Sequence, residues 1–141
     1  MRMTSRLRCL NIAWTELSFE SVQHLCEALP RCMEQLNISG QRYNLTDTRN
    51  FNPMNGTRPC RLVHFLDIQT LSRRAYRLRA LDISDSVLIS DQSIVSLRQY
   101  SRLLTHLSAS RCYLLTSDAL KFVSHSPTHE RDIDRLSLAA R

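Results

Sequence analysis

Glycine is nearly absent: the chain has two in 141 residues, Gly40 and Gly56. Neither sits in a GxGxxG or GxxxxGK[ST] string, so the backbone loops that cradle nucleotide phosphates are not available. Aromatic residues make up only 6%. No window approaches the roughly 18 uninterrupted apolar residues that a membrane-spanning helix needs. The basic N-terminus, Met1 to Arg6, has no apolar stretch behind it, because Arg8, Asn11, Thr15 and Glu16 interrupt one, and a secretory leader is not expected. CxxC pairs are also missing. The five cysteines, Cys9, Cys26, Cys32, Cys60 and Cys112, are odd in number and irregular in spacing, which argues against zinc and redox sites and for buried free thiols in a reducing compartment. Neither a metal nor a cofactor is expected. The Asn-x-Ser/Thr strings at Asn37, Asn44 and Asn55 would matter only outside the cytosol, and are read as chance matches.

What is present is an ordinary folded composition, 43% hydrophobic and 23% charged, with a formal charge of +6 and a pI near 9.5. The arginines are scattered singly or in pairs such as Arg73-Arg74, with no basic run interleaved with aromatics. That pattern argues against nucleic acid and favours an acidic or phosphorylated protein partner.

An internal repeat carries the reading of the fold. Aliphatic residues spaced three and then two apart recur as Leu7/Leu10/Ile12, Met33/Leu36/Ile38, Leu78/Leu81/Ile83, Leu104/Leu107/Ala109 and Ile133/Leu136/Leu138. The central leucines, at 10, 36, 81, 107 and 136, are 26, 45, 26 and 29 residues apart. Alternate inward residues describe a short strand. A unit this small cannot bury its apolar face alone, so neighbouring units must bury it together. Asn11, Asn37, Asp82, Ser108 and Ser137 fall between the aliphatic positions and should face the other way.

Between these strands the period changes to that of a helix. Phe19, Val22, Leu25, Cys26 and Leu29 share one face after Ser18; Ile94, Leu97 and Tyr100 follow Ser90 or Asp91; Ala119, Leu120 and Val123 follow Thr116. Ile68, Leu71, Ala75 and Leu78 supply a helix before the third strand. Strand, turn and helix in 26 residues define a leucine-rich-repeat unit. The expected fold is therefore α/β: a right-handed β-α solenoid with parallel strands on its concave face. It forms one domain over 1–141, with about five repeats. The 45-residue interval is read as a loop inserted at 48–64, which holds Pro53, Pro59 and Gly56. The rival is a degenerate extra strand, Val63 to Ile68, but it lies only 15 residues before Leu81.

Three strings, Gln35-Leu-Asn-Ile-Ser-Gly40, Leu81-Asp-Ile-Ser-Asp-Ser86 and Leu107-Ser-Ala-Ser-Arg-Cys-Tyr113, resemble the cysteine-containing repeats of F-box leucine-rich-repeat proteins over about residues 7–125. The resemblance implies a non-catalytic substrate receptor of a cullin-RING (SCF-type) ubiquitin ligase. Such a receptor works in cytoplasm and nucleus, holds a target on its repeat arc and reaches adaptor and cullin through an F-box. Only six residues precede the first repeat strand, and the family's C-terminal tail is absent, so the chain is expected to behave as a fragment with uncapped ends. The alternative is an interaction scaffold unrelated to ubiquitin.

Among residues that could carry chemistry, His125 and His129 have metal-ligand spacing but Pro127 lies between them. A nucleophile pair of Cys112 with His106 is open at this level, although Cys112 falls where this repeat type buries a structural cysteine. Asp82 and Asp85 suit a salt bridge or a partner contact better than acid-base work. Trp14 divides evenly between packing at a strand corner and anchoring a partner. The expected binding surface is one continuous face holding Gln35, Asn37, Ala80, Asp82, Asp85, His106, Ser108 and Arg111.

Overall fold

A computed structural model describes residues 6–15, 17, 19–40, 65–86, 89–119 and 135–137. In chain order the elements are β1 (Cys9–Asn11), α1 (Phe19–Ala28), β2 (Gln35–Asn37), α2 (Phe65–Arg74), β3 (Ala80–Asp82), α3 (Asp91–Tyr100), β4 (His106–Ser108) and β5 (Arg135–Ser137). Each strand has three residues and is centred on one of the five repeat leucines. The strands form one sheet in sequence order, every neighbouring pair parallel. Leu10 pairs with Leu36, Leu36 with Leu81, Leu81 with Leu107 and Leu107 with Leu136, so the repeat spacing is the sheet register. The architecture is α/β.

The helices cover one face of this sheet. Val22, Cys26 and Leu29 are buried on the α1 side, Ile68 and Leu71 on α2, and Ile94 and Leu97 on α3. These join Leu36, Leu81 and Leu107 in a single apolar cluster, and α2 packs between α1 and α3. Leu25, expected on the same face as Val22, is half-buried. Ala75 and Leu78 are fully buried but lie beyond the last residue of α2, which Arg74 closes. At α3 the Ser90 N–H donates to Ser93 Oγ at 3.3 Å, which holds the chain at the helix entrance. A further helical turn starts at 117–119 after Thr116, whose hydroxyl accepts from the Asp118 N–H at 3.2 Å.

Strand β2 pairs directly with β3, and Leu66 and Ile68 belong to α2. The extra-strand reading of Val63 to Ile68 is therefore wrong. The 3.6-residue spacing of Ile68 and Leu71 outweighs the short alternating match. The proposed loop at 48–64 lies outside the described residues, as do Leu120, Val123, His125, His129, Ile133 and Leu138.

The first four units turn in the same way after their strands. Four residues past the central leucine the backbone is left-handed: Trp14 at φ 59°, Gly40 at 70°, Asp85 at 60° and Arg111 at 58°. Only one of these four positions is glycine, although left-handed backbone costs an L-residue with a Cβ roughly 1–2 kcal/mol. The cost is offset by a ladder of hydrogen bonds that continues past the strands, Trp14 N–H to Ser39 O, Gly40 N–H to Ser84 O and Asp85 N–H to Ser110 O, at 2.9, 2.9 and 2.8 Å.

Gly40 has a second reason to be glycine. A Cβ built there would lie 2.4 Å from the Trp14 indole, which rests on it from the preceding turn. Trp14 thus packs at the strand corner while remaining 58% exposed. Gly40→Ala is expected to cost about 1–2 kcal/mol, from the left-handed backbone and the displaced ring. In a Trp14→Ala background the ring's share should vanish, leaving only the backbone share. Equal costs in both backgrounds, measured by urea unfolding, would show that the indole does not rest there.

Candidate functional site

Among the described residues, none covers the face of the sheet away from the helices. Two columns cross it: Cys9, Gln35, Ala80 and His106 at strand starts, and Asn11, Asn37, Asp82 and Ser108 at strand ends. Together they line a shallow groove running across β1 to β4. Gln35 and His106 are exposed, while Asn37, Ala80, Asp82 and Ser108 are half-buried. Six of the eight residues expected on one face are thus brought together there, by the side-chain alternation of the strands.

The second column has a structural duty as well. Asn11 Oδ1 accepts from the Ala13 N–H at 3.0 Å, Asn37 Oδ1 from the Ser39 N–H at 2.9 Å, and Asp82 Oδ1 from the Ser84 N–H at 3.0 Å. A short carboxamide or carboxylate satisfies the amide two residues on and bends the chain out of the strand. In the fourth unit Ser84 of the neighbouring turn takes that part, its Oγ lying 2.8 Å from Ser108 Oγ and accepting from the Ser110 N–H at 3.1 Å. What reads as a polar binding surface is therefore partly the device that ends each strand after three residues.

Asp85 and Arg111 do not belong to the open face. They are the left-handed residues of two successive turns, and Asp85 is buried, at 4% exposure, with its carboxylate accepting from Arg111 Nη2 at 2.6 Å. The expected placement fails because the chain has already left the strand two residues earlier. The salt-bridge role considered for Asp85 is the one found.

His106 Nδ1 lies 2.8 Å from Thr105 Oγ1, and that hydroxyl is placed 3.1 Å from Arg79 O. Thr105 has one proton. With it given to Arg79 O, the His106 Nδ1–H donates to the Thr105 hydroxyl. Cys112 is buried and its thiol donates to Ile83 O at 3.3 Å. Burial, together with the nearby Asp85 and Asp82 charges, raises its pKa above the ordinary 9.0 against the lowering effect of a Ser86 backbone hydrogen bond. A thiol held protonated at neutral pH is a poor nucleophile, so the Cys112–His106 pair does not have the makings of a catalytic couple.

Cys26 is likewise buried. Cys32 is half-buried with its thiol 3.4 Å from Leu7 O, whereas Cys9 is exposed at the start of the first column, against the expectation of uniformly buried thiols. Among the described residues no group of three or more His, Cys, Asp or Glu is placed to hold a metal, and no helix is long and apolar enough to cross a membrane.

Compared with known protein families, the chain matches no family model. Among solved structures it is similar to the C-terminal domain of a tropomodulin from Caenorhabditis elegans, with a TM-score of 0.56 and 14% identity. The match covers 84% of this chain and 65% of that one, so the chain spans just under two thirds of that domain's length. A likeness at this identity concerns the fold. The F-box resemblance is overturned: no family evidence accompanies it, and the structural match is to a different protein. The strings that carried it have a local cause. Leu81 to Ser86 and Leu107 to Tyr113 are largely written by the turn, with Asp82 capping, Asp85 and Arg111 left-handed and paired, and Cys112 closing the core. Strings fixed by turn geometry do not distinguish one family from another.

Proposed function

We propose that this chain is a non-catalytic protein-interaction module, a leucine-rich-repeat solenoid whose open strand face holds a partner protein. With the family resemblance removed, the reading that remains is the scaffold without a link to ubiquitin. The observation that carries it is the division of labour within each strand. In β2, β3 and β4 the central leucine is buried against the helices, and in β1 it is half-buried, while the residues on either side form two columns on a groove that none of the described residues covers. Stacked repeats of this kind create extended binding surfaces. The tropomodulin domain supports the arrangement of elements and carries nothing further.

The test is capture of a partner by the intact chain, followed by reconstitution with that partner in purified form. Replacing two exposed groove residues, Gln35→Ala with His106→Ala, should weaken binding about tenfold or more, equivalent to about 1.4 kcal/mol. Replacing exposed α1 residues, Gln23→Ala with His24→Ala, should leave it unchanged. Binding that survives the groove pair and is lost with the α1 pair would place recognition on the helices and sink the proposal.

A further inference from the structure

Among the described residues, most of the arginines that look scattered in the sequence gather on one edge of the fold. Parallel strands all start at the same edge, and the helices that lead into them end there. Arg6, Arg31, Arg77 and Arg102 occupy the segment four or five residues before the central leucine of successive units, so β1 to β4 each contribute one. Arg8 and Arg79 stand two residues before the leucines, and Arg73, Arg74 and Arg98 lie in the last turns of α2 and α3. All nine are exposed. Against them, among the residues whose side chains are described, this edge carries two carboxylates, Glu27 and Glu34.

Among the described residues the opposite edge is reversed, carrying Asp82, Asp85, Asp91 and Asp118 with a single arginine, Arg111. Those aspartates have structural employment. Asp82 caps its turn, Asp85 pairs with Arg111, and Asp91 accepts from the backbone and hydroxyl of Thr116.

Folding explains only part of the basic edge. Arg73, Arg74 and Arg98 complement the negative ends of their helices. Arg73 also stacks 4.8 Å from the Tyr100 ring and donates to its hydroxyl, and Arg8 sits 3.6 Å from Glu34. Arg31, Arg77, Arg79 and Arg102 lie past the helix ends. Among the described residues no carboxylate is within ion-pair reach of these four. Neighbouring strands are about 4.8 Å apart, well inside a screening length of about 8 Å at physiological salt, so the row acts as one field. Of the chain's 19 basic residues only Lys121 is lysine. Arginine forks match carboxylate and phosphate groups two bonds at a time, which a lysine cannot do.

We infer that this strand-entry edge docks an acidic polypeptide segment of the partner, running across the strands. The inference rests on the reading of the chain as a protein-interaction module and names the partner's chemistry. A polypeptide fits better than nucleic acid on two counts. Three-residue strands make the face only about 10 Å wide, so a uniformly anionic duplex laid on the edge would overhang the aspartates at the far side. Among the described residues Tyr76, 49% exposed, is the one aromatic at this edge open for stacking, since Tyr100 is taken by Arg73, and one ring does not make the stacking platform that single strands use.

The experiment measures anisotropy of two labelled probes of equal charge, a Glu/Asp-rich peptide and an oligouridine, with the intact chain. The peptide should bind, weaken with added salt, and lose about tenfold or more in affinity with Arg31→Ala/Arg77→Ala/Arg79→Ala/Arg102→Ala, whose melting should match the parent because all four side chains are exposed. The corresponding set of four Arg→Lys changes keeps the charge and loses the forks, and should bind severalfold more weakly than the parent. Tighter binding of the oligouridine, an alanine set that binds the peptide like the parent, or a lysine set equal to the parent would each overturn the inference. If neither probe binds, the edge is not a docking strip, while the interaction reading still stands or falls on Gln35 and His106.

Discussion

Leu81→Ala is expected to be among the most damaging single truncations in the chain. Its side chain is 2% exposed in the middle strand of the sheet, flanked by Leu36 and Leu107 in register. Removing it takes away apolar burial and leaves a hole that neighbours on both sides are too well packed to fill. The expected cost is about 3 kcal/mol, within the roughly 2–5 kcal/mol span of such changes. Against a typical total stability of about 5–15 kcal/mol, that is a large fraction. Leu10 occupies the same place in β1 but is only half-buried, so Leu10→Ala should cost clearly less, about 1 kcal/mol. Urea unfolding of both variants checks the pair. A larger loss at Leu10 than at Leu81 would mean that the core is not centred where the register puts it.

That register is legible in the sequence itself. Spacing of three and then two residues marks a strand with one inward side chain, and all five central leucines became strand centres. Helix faces were legible for a similar reason: Val22, Cys26 and Leu29, or Ile94 and Leu97, repeat at the helical period and are buried accordingly. The turns were less legible. Left-handed backbone is announced by glycine at Gly40 alone, while Trp14, Asp85 and Arg111 take it up because the hydrogen-bond ladder holds them there. This is why Asp85 and Arg111 looked like face residues. The aspartate that ends the strand, Asp82, could have given the warning, since a short acceptor two residues before a backbone amide is a turn signal. The basic edge was hidden by its own regularity. Residues 25 or 46 apart, such as Arg6, Arg31, Arg77 and Arg102, form no run in a linear text and become neighbours only when the strands align.

The pairing of those two misjudged residues supplies the second large effect. Asp85 brings a carboxylate into a site where its side chain is 3% exposed, and Arg111 Nη2 meets it at 2.6 Å while remaining 53% exposed itself. Arg111→Ala would remove the guanidinium that meets this carboxylate and leave a buried carboxylate without that partner. Breaking a fully buried pair from one side costs about 3–5 kcal/mol. Here the arginine is half in water and Asp85 keeps further contacts, so about 2 kcal/mol is expected. The loss should come from the stranded charge rather than from the missing bond. Asp85→Asn added to Arg111→Ala replaces the carboxylate with a neutral amide of the same shape, one that tolerates left-handed backbone, and should recover about half of the loss. The coupling between the two positions, read from the four unfolding free energies, should be at least about 1 kcal/mol. Full additivity, with the double variant as unstable as the two single changes combined, would show that the Asp85 carboxylate does not depend on Arg111 inside the fold.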